Sequence, residues 1–169
     1  MPIARKILTE EEARLKMASL CSRSEQCESD IRRKLINLRL TNPQITDIIT
    51  FLKDEKFLDN ARYAKSFVND KAKFAHWGPY KIKAALASKH ILSSLINEAI
   101  ENLDERIWEQ AAMKNAATKA RTLDLTLPGD EGYKNRKKLF VFLTGRGFPA
   151  NLSNRMVKEM KKFQEERNK

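Results

Sequence analysis

Apolar residues recur along most of this chain at intervals of three and four positions, which is the spacing of amphipathic α-helices. Thr9 and Glu12 form a Ser/Thr-x-x-Glu capping box and predict the start of a first helix. Ser24 predicts the start of a second. The pair Asn42-Pro43 predicts the start of a third, because proline is favoured at the first helical position. Three short helices are therefore predicted in the first part of the chain.

This succession of three helices is predicted three times. In each case three apolar residues of the middle helix and its exit are separated by four and then five positions. Two more apolar residues lie nine and twelve positions after the last of these three. The three series are Ile31-Leu35-Leu40, Ile82-Leu86-Ile91 and Leu139-Leu143-Phe148. A period of roughly 50 to 57 residues is typical of helical repeat proteins. We therefore predict an all-α fold in which three tandem three-helix repeats form an elongated, curved array.

The repeat phase also predicts where the units begin and end. Within the third unit, the segment TLDLTLPGDEGYK contains proline, glycine and acidic residues that indicate a loop. The predicted segments are a flexible N-terminus at 1–8, helical repeats at 9–57, 58–104 and 105–163, a loop at 122–135 inside the third repeat, and a flexible basic tail at 164–169.

The five-residue step at the end of each middle helix has a structural interpretation. If Gly147 is left-handed just after its helix, Leu143 and Phe148 take the two positions that contact each other in a Schellman cap. The equivalent residues of the other units are His90 and Arg39, and histidine tolerates positive φ better than most residues do. We expect the same left-handed exit in all three units.

Composition argues against an enzyme. The chain has five glycines, and none lies in a glycine-rich phosphate-binding motif. His76 and His90 are the only histidines, and their spacing indicates neither a catalytic triad nor a metal site. Cys21 and Cys27 are too few for a disulfide framework, and Cys27 lies on an apolar stripe where a small buried side chain is expected. We predict no catalytic residue, no metal and no cofactor.

The chain is strongly basic. It has 33 Lys and Arg against 22 Asp and Glu, a formal net charge of +11, and residues 105–169 hold +7 of this surplus. Such a surplus is typical of proteins that bind a polyanion or an acidic protein surface. No signal-like apolar segment opens the chain, and no uncharged run approaches the roughly 20 residues that span a bilayer. We expect a soluble, reduced, cytoplasmic protein, and a monomer because no heptad seam indicates a dimer.

Three segments carry a resemblance to a known family. FLDNARYAKSFVNDKAKFAHWGPYKIKAALASKHI contains an Asp turn at Asp59, a Gly turn at Gly78 and an Ile-x-x-x-Leu-x-x-Lys-x-Ile pattern that ends at Ile91. FLTGRGF, at 142–148, is the second segment, and SRSEQCESDIRRKL is the third and weaker one. On the evidence of these segments, the chain resembles the RecX family of bacterial regulators of the RecA recombinase. The resemblance extends over roughly residues 10 to 163. It departs from the family pattern at His90, where a glycine is usual.

The resemblance implies a function. It implies a non-catalytic regulator, with inhibition as the expected sign, that binds in the groove of the RecA–DNA filament and modulates ATP hydrolysis and strand exchange in DNA repair and the SOS response. The implied partners are the RecA filament and DNA phosphates. The alternative is a general nucleic-acid-binding helical protein that acts without a recombinase and uses the middle or third helix of a unit as its recognition element.

Helix geometry supplies the candidate contact residues, because several basic side chains flank the buried stripes of the middle helices. The candidate partner- or nucleic-acid-binding residues are Arg32, Arg33, Lys81, Lys83, Lys89, Lys137, Lys138 and Arg146. Lys89 and Arg146 have a second interpretation, as cations that stabilise a helix C-terminus. Aromatic side chains interleave with these charges and are interpreted either as base-stacking groups or as partly buried packing. They are His76, Trp77, Tyr80 and Tyr133. Trp108, on a helical stripe, is predicted to be core.

Overall fold

The computed structural model describes residues 8–168, and the regular structure in this range is entirely α-helical, which confirms the predicted fold class. Residues 1–7 of the predicted flexible N-terminus lie outside the described residues, as does Lys169. The helices of the described range are α1 (Glu10–Arg23), α2 (Glu28–Asn37), α3 (Asn42–Asp54), α4 (Asn60–Lys73), α5 (Pro79–Ala87), α6 (Ser93–Glu101), α7 (Glu105–Ala120), α8 (Gly129–Gly145) and α9 (Ala150–Arg167). Between residues 8 and 168, none of these helices is both long and apolar enough to cross a membrane.

The helices form three units, each with its own hydrophobic core. Unit 1 consists of α1–α3, unit 2 of α4–α6 and unit 3 of α7–α9. Two side chains cross between units: Cys27 of unit 1 and Trp108 of unit 3 are both buried in the core of unit 2. Unit 2 therefore lies between the other two, and the predicted arrangement of three tandem three-helix repeats is confirmed.

The middle helices α2, α5 and α8 end in the same way. Gly147 has a φ of 93°, and the equivalent residues His90 and Arg39 have φ values of 58° and 63°. The amide of Phe148 donates to the carbonyl of Leu143 at 3.2 Å. The same bond runs from Ile91 to Leu86 at 3.3 Å and from Leu40 to Leu35 at 3.4 Å. These bonds define Schellman caps, so the left-handed exit predicted for all three units is confirmed.

Units 2 and 3 are joined by backbone hydrogen bonds. The amide of Gly78, at the start of α5, donates to the carbonyl of Arg146 at 2.8 Å, and the amide of Tyr80 donates to the carbonyl of Gly147 at 3.0 Å. A Cβ atom added to Gly78 would lie 2.2 Å from the backbone of Gly147. The C-terminal end of α8 therefore abuts the N-terminal end of α5, and two glycines allow the close approach.

Units 1 and 2 meet at the equivalent place, but through side chains. The Lys89 ammonium lies 2.6 Å from an Asp30 carboxylate oxygen, and the Ser29 hydroxyl donates to the Lys89 carbonyl at 2.7 Å. The Asn60 side-chain carbonyl accepts from the Glu28 amide at 3.0 Å. The C-terminal end of α5 thus meets the N-terminal end of α2. The three middle helices form one head-to-tail row, α8–α5–α2.

The Asp30–Lys89 ion pair makes the joint between units 1 and 2 sensitive to acid. Burial alone would raise the pKa of Asp30, but hydrogen bonds from Lys89 and Cys27 and the charges of Lys89 and Arg33 outweigh it and lower this pKa. A carboxyl with a lowered folded-state pKa stabilises the fold above its ordinary pKa of about 4, and this contribution disappears as the pH falls through the lowered value.

We therefore expect Asp30→Asn to reduce the free energy of unfolding by about 1–3 kcal/mol at pH 7, and by less at pH 3, where part of the contribution has been lost. Urea unfolding of both proteins at several pH values checks this. Asp47→Asn, which removes an exposed carboxylate from the same unit, is the control and is expected to have little effect at either pH. A stability difference for Asp30→Asn that does not change between pH 7 and pH 3 contradicts the prediction.

The predicted loop at 122–135 is wrong, because the segment between helices is only 121–128. Pro128 is the N-cap of α8 and Gly129 is its first residue, with a φ of 61°, so both open the helix. Asp130 and Glu131 then lie in the first turn, where acidic side chains are favourable to the helix dipole. The sequence signals for a loop were in fact signals for a helix start.

The short 121–128 segment closes the row at unit 3. Leu125 is fully buried in the core of that unit. The Arg136 guanidinium donates to the Leu125 carbonyl at 3.0 Å, and the Asn135 amide group donates to the Asp124 carbonyl at 2.9 Å. Side chains near the middle of α8 thus bond to the 121–128 loop. The equivalent positions of α2 and α5 lie at the N-terminal ends of those helices, where each contacts the next unit.

Two other predicted boundaries also differ from the structure. The predicted flexible tail at 164–169 is helical as far as Arg167, because the Gln164 side chain donates to the carbonyls of Ala120 at 3.0 Å and Leu123 at 2.9 Å. Ser24 ends α1 as its C-cap, and α2 begins after Cys27.

Candidate functional site

Two of the predicted contact residues lie inside the joints between units. Lys89 is paired with Asp30 across the joint of units 1 and 2. Arg146 donates to the Asn115 side-chain oxygen of its own unit at 3.0 Å and to the Ala75 carbonyl of unit 2 at 2.9 Å. Both cations are partly buried and fully engaged there. Their role in the structure is to hold neighbouring units together, so they leave the set of open contact residues.

The two arginines of α2 are compensated by acids of their own helix. Arg32 pairs with Glu28 at 3.1 Å, and Arg33 pairs with Asp30 at 2.6 Å. A hydrogen bond from Lys53 lowers the pKa of Glu28; partial burial opposes this shift, and Arg32 adds to it. Both arginines are exposed, and each shares its acidic partner with a second cation, Lys53 at Glu28 and Lys89 at Asp30. The sequence predicted that the two arginines are exposed and did not show that they have acidic partners.

The lysines of α5 have different surroundings. The Lys81 ammonium lies 4.5 Å from the ring centroid of Trp77, and the Lys71 ammonium lies 5.1 Å from the same ring. Lys83 donates to the Asn97 side-chain oxygen at 3.1 Å. Within residues 8–168 neither Lys81 nor Lys83 forms an ion pair with a carboxylate. Cation–π contacts of this kind contribute about 0.5–1 kcal/mol at exposed sites, and they position the lysines without cancelling their charge.

The aromatic side chains divide between packing and exposure. Trp77 is half-buried beneath its two lysines, and Trp108 is core as predicted. Tyr80 and Tyr133 are 62% and 61% exposed, so their rings do not serve as packing. The His76 carbonyl accepts a bond from Asn115, which places this residue in the joint between units 2 and 3.

The lysines of α8 are the most open of the predicted cations. Lys137 and Lys138 are exposed, and neither forms an ion pair among the described residues. Lys134 has the same properties and was missed by the sequence analysis. At 100° per residue these three side chains lie on the side of α8 opposite the buried residues Leu139 and Leu143. Their spacing of three and four residues was the signal that would have identified Lys134.

The structure offers little for chemistry. Among residues 8–168 no three His, Cys, Asp or Glu side chains lie close enough to share a metal ion. Cys21 and Cys27 are free and buried, and burial raises the pKa of the Cys21 thiol, with the Glu25 charge adding to the effect. A thiol with a raised pKa is a poor nucleophile at neutral pH.

Comparison with known proteins identifies the family. Residues 59–100, most of unit 2, match the family described as RecX, second three-helix domain. The regulatory protein RecX of Clostridium acetobutylicum is 30% identical over 156 residues, which cover 88% of this chain and 68% of that protein. The chain belongs to the RecX family. The resemblance carried by its three sequence segments is thereby confirmed.

Other RecX proteins agree in sequence and in fold. The regulatory protein RecX of Clostridium botulinum strain Eklund 17B is 32% identical over 142 residues, 84% of this chain and 65% of that relative, so the chain spans slightly less than two thirds of its length. A crystal structure of regulatory protein RecX matches with a TM-score of 0.77 at 25% identity, covering 89% of this chain and 73% of that one. RecX from Lactobacillus salivarius has the same fold, with a TM-score of 0.75 at 18% identity over 89% of this chain.

Proposed function

We propose that this RecX-family chain is a non-catalytic regulator of the RecA recombinase. It binds as a monomer in the groove of the RecA–DNA filament, contacts RecA and DNA phosphates, and lowers ATP hydrolysis and strand exchange. Its role is in DNA repair and the SOS response. The regulatory names of its RecX relatives support the general role, and the details are ours.

The observation that carries the proposal is the head-to-tail row of α2, α5 and α8. Each joint brings the C-terminal end of one middle helix to the N-terminal end of the next, so equivalent helix faces follow one another along the chain, although the side chains that they carry differ. Repeat proteins use such surfaces to bind extended partners. A filament of identical subunits is an extended partner whose own surface repeats, and complementary charge favours its encounter with a basic protein.

The joint between units 2 and 3 suggests how regulation works. Gly78 and Gly147 are in backbone contact, and Trp108 of unit 3 fills part of the core of unit 2. These two units therefore move as one body. A rigid body that touches neighbouring recombinase subunits opposes their relative displacement, and steps that require that displacement are slowed.

We expect the protein to reduce ATP hydrolysis by bacterial RecA on single-stranded DNA, with a near-maximal effect at or below one molecule per RecA. A coupled ATPase assay measures the turnover, and co-sedimentation with RecA–DNA filaments measures binding. Bare DNA and RecA without DNA are the controls. Unchanged turnover at equimolar protein contradicts the proposal. Tight binding to bare DNA together with unchanged turnover favours the alternative of a general nucleic-acid-binding protein.

A further inference from the structure

The positive charge of this molecule is gathered at one end of the array. Residues 9–57 carry nine basic and nine acidic side chains, residues 58–104 carry seven and five, and residues 105–169 carry 15 and eight. Unit 1 is therefore neutral as a whole, whereas unit 3 is strongly cationic. The three units share a fold but do not present the same surface to a charged partner.

The ion pairs increase this contrast. In α2 of unit 1, Arg32 and Arg33 are each held by an acid of the same helix. On α8 of unit 3, Lys134, Lys137 and Lys138 form no ion pair among the described residues. Asp130 and Glu131 lie in the first turn of α8, and neither pairs with these lysines. The three lysines of α8 are available to a partner, whereas both arginines of α2 have an acidic partner.

The repeat places a fourth lysine in line with those of α8. Since Ile31, Ile82 and Leu139 are equivalent, the residues that precede them, Asp30, Lys81 and Lys138, are equivalent as well. Lys81 and Lys138 therefore occupy equivalent positions on two helices that follow each other in the α8–α5 row. In unit 1 the same position holds an acid, and this acid is already bound to Lys89.

We give the name lysine row to four lysines: Lys134, Lys137 and Lys138 on α8, and Lys81 on α5, whose ammonium lies over Trp77. The helix rise of 1.5 Å per residue gives a length of roughly 20 Å from Lys134 to the joint at which Lys81 lies. Gly147 at that joint would bring an added Cβ to 2.4 Å from the Lys81 amide, so the two helices are contiguous there. A length of roughly 20 Å corresponds to about six nucleotides of one strand.

The side chains around the row suit a phosphate backbone. Gly145 of α8 and Ala84 of α5 are small and exposed on the same face. Val141 and Tyr80, the latter equivalent to Lys137, are 55% and 62% exposed there. The small residues allow a strand to approach closely while the ammonium groups neutralise its phosphates, and an exposed aromatic ring can stack on a base.

We propose that the lysine row is the nucleic-acid-binding surface of this protein and that unit 1 faces away from the nucleic acid. The array then binds the nucleic acid at one end: units 3 and 2 lie on the phosphates, and unit 1 is left for a protein partner. This inference rests on the proposed function, which places DNA in the complex. It adds which surface of the protein contacts that DNA.

Two variants with equal charge change test the proposal. The first is the full chain with Lys134→Gln, Lys137→Gln and Lys138→Gln. The control is the full chain with Arg32→Gln, Arg33→Gln and Lys34→Gln, which removes three positive charges from α2, the equivalent helix of unit 1. Fluorescence anisotropy with a labelled 20-nucleotide oligo(dT), from about 50 to 300 mM KCl, measures the affinity of each protein without any recombinase.

We expect the α8 variant to lose affinity by on the order of 10- to 100-fold near 0.1 M salt, and the slope of log affinity against log salt to become shallower by about 2. The α2 control should stay within about twofold of the unsubstituted protein, since its three side chains lie in unit 1, outside the lysine row. Equal losses in both variants overturn the proposal, as does a larger loss in the control. Polyglutamate and unlabelled DNA are then compared as competitors. If polyglutamate displaces the labelled oligonucleotide as effectively as DNA does, the surface binds any polyanion and the assignment to nucleic acid is overturned.

A second measurement avoids substitutions. Acetylation of surface lysines in the unsubstituted protein, with and without oligo(dT), should show protection of Lys81, Lys134, Lys137 and Lys138 and none of Lys34. Protection of Lys34 without protection of the row overturns the proposal. Because neither experiment contains RecA, their failure is distinct from that of the ATPase assay, which tests regulation.

Discussion

Gly78→Ala is expected to be among the most destabilising single substitutions in this protein, with a loss of about 3 kcal/mol in the free energy of unfolding. The added Cβ would lie 2.2 Å from the Gly147 backbone and 2.4 Å from the Phe148 amide. These atoms belong to the backbone of the neighbouring unit and cannot rotate away. The joint between units 2 and 3 must therefore open, and the two backbone hydrogen bonds across it are weakened.

Urea unfolding followed by circular dichroism measures this loss. Gly145→Ala is the matched control, because a Cβ at this exposed position of α8 meets nothing within 4 Å. Alanine is favoured over glycine in a helix by up to about 1 kcal/mol, so this control is expected to be neutral or slightly stabilising. A Gly78→Ala protein as stable as the Gly145→Ala protein would show that the joint is looser than its geometry indicates.

Trp108→Ala is expected to cost about 3–5 kcal/mol, the usual range for removing a large buried aromatic side chain. Trp108 belongs to α7 of unit 3 but is buried in the core of unit 2. The substitution therefore leaves a cavity and also removes a main apolar contact between the two units. Because units of repeat proteins are coupled through their interfaces, we expect unfolding to separate into two transitions.

Phe74→Ala is the control for Trp108→Ala, since Phe74 is an aromatic side chain of unit 2 that is 77% exposed. Its removal is expected to change stability by less than about 0.5 kcal/mol. Differential scanning calorimetry of the two variants distinguishes a lower single transition from two separate ones. A Trp108→Ala protein that keeps one transition, with a stability loss similar to that of Phe74→Ala, contradicts the role of this side chain in coupling the units.

The helices and their exits followed from local pattern. The four-and-five step of apolar residues predicted left-handed residues at Arg39, His90 and Gly147, and the structure has positive φ at all three. This worked although two of the three are not glycine, because the step reflects a contact within one turn of chain. Pro128 and Gly129 were misinterpreted for a related reason: the same residues that interrupt a helix are also those that begin one.

The candidate site was predicted only in part. The sequence identified Lys137 and Lys138 as outward cations, and it identified Arg32 and Arg33 by the same argument. The structure distinguishes them, because the arginines have acidic partners on α2 and the lysines of α8 form no ion pair among residues 8–168. Lys89 was assigned to a surface, but its partner Asp30 lies 59 positions earlier in the chain. The periodicity of the sequence cannot predict an ion pair between residues so far apart in the chain.

Residue spacing alone was sufficient to predict the fold class, the threefold repeat and the left-handed end of each middle helix. These features depend on contacts between residues that are close in the chain. The tertiary structure decided which cations are free and which serve the joints, because electrostatic pairing depends on distance in space and not on position along the chain. It also decided that Gly78 and Gly147 meet, and that the end of α8 abuts the start of α5. Those placements exist only once the units are docked, since the docking brings distant residues together.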